Sequence, residues 1–210
     1  MTMTDTDTEA RNEPSVMQTT ETEQEKVQFF PVSEGKLMTL YIVSLGLYGV
    51  YWFYKNWKLQ EPLMDKKIYP FWRAIFSIFF THALFRRINA QATGLEKKHR
   101  FNANVLATFF VVTIVVSHLL DNISNHSTTL VGMMNSTVII TSIILLCLSV
   151  YPMLKVQATV NRINGDMLGY LNHKYSVWNY LLIVVGILLW LLIGMGIFAE
   201  SMGLVPPENL

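Results

Sequence analysis

Three stretches of this chain contain no Asp, Glu, Lys or Arg at all: residues 103–120 (ANVLATFFVVTIVVSHLL), 131–150 (VGMMNSTVIITSIILLCLSV) and 177–199 (VWNYLLIVVGILLWLLIGMGIFA). A helix needs about 20 residues to cross a hydrocarbon core about 30 Å thick. The second and third runs meet that length and the first comes close. About half of the 210 residues are apolar and 15% are charged, against roughly 25% in soluble domains. The expected fold class is therefore all-α, a polytopic helical membrane protein.

A fourth span is expected over residues 37–54, where LMTLYIVSLGLYGVYWFY runs into KNWK. Rings with a polar edge collect at headgroup level, and lysines just beyond them favour the cytoplasmic side. Residues 68–85 (IYPFWRAIFSIFFTHALF) are short for a span and carry Arg73, which is costly at the bilayer centre. A helix begun at Pro70 sets Arg73, Ser77 and Thr81 on one stripe, which suits an amphipathic helix lying in the interface plane. A fifth transmembrane helix is the alternative. Eight of fifteen acids precede residue 35, and ten of sixteen bases lie between Lys55 and Arg100. The four-span arrangement then puts residues 55–100 and 155–174 in the cytoplasm and both termini in the periplasm. Residues 1–27, rich in Thr and Glu, read as a disordered acidic tail. Residues 28–204 form the helical membrane domain, and 205–210 a short C-terminal tail.

Shifting the sequence by 75 positions aligns residues 85–106 with 160–181. Arg87 meets Arg162, Asn89 meets Asn164, and Gly94 meets Gly169. This reads as an internal parallel repeat whose turns are made by Asn89, Gly94, Asn164 and Gly169. Chance likeness between two basic loops is the alternative. The residues expected at lipid headgroups or the interface are Trp52, Lys55, Trp57, Lys58, Trp72, Arg73, Arg86, Arg87 and Arg162. Anionic lipid on the cytoplasmic face is the simplest partner for them. A protein partner or homo-oligomer is left open, and nucleic acid is not expected.

Signs of chemistry are few. The spans hold no ionisable residue of the kind that relays protons or ions. The hydroxyls of 136, 137, 141 and 142 are expected to bond backbone or neighbouring helices. His118, Asp121 and His126 fit no zinc spacing, and no phosphate loop or nucleophile elbow is present. With one cysteine, Cys147, an intramolecular disulfide is excluded. No catalytic residue, metal or cofactor is expected.

FPVSEGKLMTLYIVSLGLYGVYWFYKNWKLQE followed by PFWRAIFSIFFTHALFRRI resembles a family of uncharacterised bacterial, chiefly proteobacterial, membrane proteins. Their signature is GLYxxYWFYKNW, then PFWRAxF, then LFxRI, and the likeness covers residues 30–89. The resemblance implies a bacterial inner-membrane location and brings no activity with it. Two functions fit these readings. One is a non-enzymatic lipid-contacting or partner-binding protein. The other is a transporter or permeation subunit for a small or amphipathic solute.

Overall fold

A computed structural model describes residues 27–96, 100–126 and 131–202. The tail expected over 1–27, save Val27, and the one over 205–210 lie outside the described residues. The described chain is helical: α1 (Glu34–Val43), α2 (Leu47–Gln60), α3 (Pro70–Ile75), α4 (Ser77–Gln91), α5 (Ala103–His126), α6 (Val131–Ile163) and α7 (Val177–Ser201). Three helices among the described residues are long and apolar enough to cross a membrane, at Ala103–Asn122, Thr137–Ile163 and Val177–Ala199.

Residues 37–54, expected as one span, form two helices instead. Ser33 caps α1, its hydroxyl accepting from the Lys36 amide at 3.4 Å, and Glu34 sits in the first turn, where a negative charge meets the helix dipole favourably. The helix stops because Leu45 (φ 53°) and Gly46 (φ 89°) turn left-handed. The Gly46 amide then donates back to the Tyr41 carbonyl at 2.8 Å, the closure expected of a helix C-terminus. Ser44 ties the two helices together: its hydroxyl donates to Tyr41 O and accepts from the Tyr48 amide.

Past the turn, the chain runs back the way it came. Along α1, Asn161 bonds Val32 O, Tyr41 bonds Ser149, and Gly46 approaches Leu146. Along α2, Gly49 lies near Met153, Trp52 bonds Gln157, and Gln60 returns to Gln28 O. The pair is a helical hairpin whose two ends lie together beside the C-terminal end of α6. From Lys155 to Leu146 is nine positions, about 14 Å at 1.5 Å per residue, so the hairpin reaches only part of the way along α6. Residues 28–33 consequently share an end of the molecule with the 155–174 loop. The four-span arrangement had placed them on opposite sides, because hydropathy counts apolar residues and does not register a left-handed turn among them.

The in-plane stretch also begins as the sequence suggests, with Pro70 at the first turn of α3, but Phe76 (φ −92°, ψ 38°) interrupts it. Arg73, Ser77 and Thr81 therefore do not form a polar stripe. Arg73 folds over the rings of Trp57 (4.4 Å) and Phe80 (5.1 Å), while Thr81 is buried and donates to Ser77 O. Phe71, Trp72, Ile75, Phe76 and Phe79 are left exposed.

The core sits in the half of the bundle that holds the hairpin. α2 buries Tyr48, Trp52, Phe53, Asn56, Trp57 and Gln60, one face at helical spacing. Ala103, Ala107 and Phe110 of α5 and Val150, Met153, Val156 and Val160 of α6 complete it. Beyond the hairpin tip burial falls away, and α7 buries only 6% of its apolar window. Such a surface is matched by lipid. At Gly186 α7 packs tightly on α1, since a Cβ there would lie 2.3 Å from the Val43 carbonyl oxygen.

Candidate functional site

Three features stand out once the residues are placed: a comb of amides holding the chain before α1, a basic and aromatic face, and an apolar cavity above the hairpin tip.

The comb is built from the two long helical faces. On α6, Gln157, Asn161 and Asn164 fall at i, i+4 and i+7, the last just past the helix end; on α2, Asn56 and Gln60 stand four apart. Together they bond the backbone of residues 28–32. Asn164 accepts from the Gln28 amide (3.1 Å) and donates to Phe29 O (2.8 Å). Asn56 accepts from the Phe30 amide and Gln157 donates to Phe30 O. Asn172 takes Pro31 O, Asn161 takes Val32 O, and Gln60 takes Gln28 O. A buried extended segment has no ladder of its own, so its amides and carbonyls need such partners. Trp52 Nε1 donates to Gln157 Oε1 at 2.6 Å, which fixes the orientation of that amide.

Lys36 is the one buried lysine among the described residues. Its ammonium donates to Asn172 Oδ1 and Lys174 O, each at 2.7 Å, and Asn179 turns its amide oxygen towards it at 3.1 Å. Burial holds its pKa below the ordinary lysine value. Of the comb, Asn164 alone was among the sequence-derived candidates, as a turn residue of the repeat; the other amides and Lys36 were not. The signal was the i, i+4, i+7 amide spacing on α6, but its target lies some 135 residues earlier.

The expected interface residues divide. Trp52 and Trp57 are fully buried, so their rings belong to the core and not to headgroups. Trp72 is exposed beside Phe71 and Phe76. Lys55 lies 5.6 Å above the Phe30 ring, and Lys58 pairs with Glu61 on the surface. Burial, and after it the charge of Arg87, lowers the Arg73 pKa, though a guanidinium stays charged at physiological pH. Arg86 Nε donates to His82 O, and Arg87 donates to Gln60 Oε1 and Leu63 O. Arg162 donates to Ala158 O at 2.9 Å.

The aligned turns are built differently. Asn89 lies within α4 and Asn164 lies past the end of α6. Gly94 is exposed with a negative φ, whereas Gly169 is left-handed (φ 70°) and pressed against Ser33.

The cavity, about 650 Å³, lies between the hairpin tip, the α3–α4 bend at Ile75, Ser77 and Ile78, and parts of α5, α6 and α7. Its inner end is lined by Tyr41, bonded to Ser149 at 2.7 Å, and by Phe110. Phe110 packs there with the rings of Phe53 and Phe85. The walls are mainly Ile, Leu and Val, and the other end reaches exposed His118 and Asp121, whose carboxylate accepts from Ser142 at 2.9 Å. Thr141, by contrast, bonds its own helix at Thr137 O. Among the described residues no cluster of three His, Cys, Asp or Glu could hold a metal. Compared with protein-family models, with curated proteins and with solved structures, the chain matches none.

Proposed function

We propose that this is a non-enzymatic lipid-binding protein of the bacterial inner membrane. Three helices span, the hairpin and the basic segments face the cytoplasm, and the C-terminal end of α7 faces the periplasm. The excess of Lys and Arg at one end of the bundle supports that orientation. It puts the N-terminal side of α1 inside.

The cavity carries the functional reading. Its volume falls in the range of small-molecule sites, about 300–1,000 Å³, its lining is largely apolar, and its ionisable groups, His118 and Asp121, stand at the open end. That is the shape of a site for an acyl chain with its head near His118, Asp121 and Ser142. The rival reading, a transporter or permeation subunit for an amphipathic solute, needs a route through the inner end. Tyr41, Ser149 and the packed rings below occupy that route.

Filling the cavity tests the reading. Ile114→Trp with Ile143→Trp should lower binding of a fluorescent fatty-acyl probe to the detergent-purified protein at least tenfold, while Leu192→Trp, on the exposed face of α7, should not. Unchanged binding in the filled variant would remove the lipid-binding proposal. Flux of an amphipathic dye across protein-containing vesicles, lost in the same variant, would favour the transporter.

A further inference from the structure

A second pocket, about 440 Å³, lies at the opposite end from the cavity mouth and has a different chemistry. Arg100, Lys155 and Arg162 line it together with Tyr151, Phe101 and Glu34. Three cations face one carboxylate, and none of them is ion-paired: the ion pair found among the described residues is Lys58–Glu61. Like charges gathered in one pocket repel, so the arrangement is stabilised when an anion joins it. Arg162 is held in place by its bond to Ala158 O, and its Nε is buried without a partner among the described residues. A buried donor left unmade is unfavourable, and this one is a guanidinium edge that suits a tetrahedral oxyanion.

Depth narrows the ligand. Lys155 and Arg162 stand on the C-terminal part of α6, beyond the uncharged run 131–150, Arg100 precedes α5, and Glu34 opens α1. All lie where α5 and α6 leave the apolar layer at the hairpin's base. Tyr151, Leu154 and Phe101 give the pocket an apolar wall, with the Lys155 ammonium 5.7 Å above the Tyr151 ring.

We propose that Arg100, Lys155 and Arg162 form a binding site for a phosphate group, supplied by an anionic phospholipid headgroup or by free phosphate. The site is separate from the acyl-chain cavity and does not depend on it. Lys155 and Arg100 are exposed, so Arg100→Gln with Lys155→Gln removes two charges without disturbing the fold.

The full chain, reconstituted in nanodiscs of equimolar phosphatidylcholine and phosphatidylglycerol, is released and weighed by native mass spectrometry. Parallel samples in phosphatidylcholine alone are titrated with inorganic phosphate and followed by thermal unfolding. The wild type should retain phosphatidylglycerol at least tenfold more than the double variant, with Lys66→Gln, at an exposed lysine outside the pocket, behaving as wild type. That outcome makes lipid the source. If inorganic phosphate instead raises the Tm of the wild type and not of the double variant, the site takes free phosphate. Equal lipid retention by wild type and double variant, together with no selective response to phosphate, overturns the proposal.

Discussion

The two aligned glycines separate sharply at the level of single residues. Gly169 is left-handed, and a Cβ on it would come within 2.6 Å of Ser33 Cα. Gly94 has open space around it and a negative φ. Gly169→Ala should therefore cost about 1–2 kcal/mol from backbone conformation alone, with the collision added, whereas Gly94→Ala should leave the Tm nearly unchanged. Thermal unfolding of the two purified variants checks this directly. Trp52→Phe keeps most of the ring but removes the donor to Gln157 Oε1, leaving a buried acceptor unpartnered. A loss of about 1–3 kcal/mol is expected, measured by the same unfolding transition. Here the sequence misleads in an instructive way. Trp52 and Trp57 look like belt residues because they adjoin lysines, but on α2 they fall on the face that meets α6 and α4. Only the partner helices decide which side of a helix is inside.

At the scale of the helices, apolar length made α5, α6 and α7 legible, since nothing else accommodates such runs. It failed for residues 37–54, where the apolar content is real but Leu45 and Gly46 bend the chain back on itself. The start of α3 at Pro70 was legible from the ring's fixed φ, and its break at Phe76 was not. The exposed set Phe71, Trp72, Ile75, Phe76 and Phe79 belongs to the bent α3–α4 element packed against the hairpin. Trp72 should be quenched more strongly by lipids labelled near the headgroup than by lipids labelled at the chain end, measured in a variant whose four other tryptophans are Phe. Stronger quenching from the chain end would place α3 deep in the bilayer and remove its interfacial assignment.

For the whole molecule the decisive matter is which end faces which compartment. The amide comb places residues 28–32 at the α6 C-terminal end, so the charge pattern and the hairpin agree on one arrangement. In a Cys147→Ser background, Glu208→Cys and Ser124→Cys should react with an impermeant maleimide in intact spheroplasts. Thr4→Cys should react only after permeabilisation. Labelling of position 4 in intact spheroplasts would refute the hairpin topology. The comb itself was beyond sequence reading because its amides are scattered over positions 56 to 172, and neither loop composition nor hydropathy links them to residues 28–32.

That separation bears on how the protein is made. Gln28 and Phe29 are bonded by Asn164, 136 and 135 residues later, so a segment that leaves the ribosome well before α6 is secured only after α6 has been made. At about 5–20 residues per second, some 7–27 s pass before the amides of α6 exist. Through that interval α1 and α2 carry Leu37, Leu40, Trp52 and Phe53 with no α6 to cover them, and lipid or an insertion factor must shelter them. Nascent chains arrested at residue 150 should expose the 28–33 segment to protease, and chains arrested beyond the emergence of residue 172 should protect it.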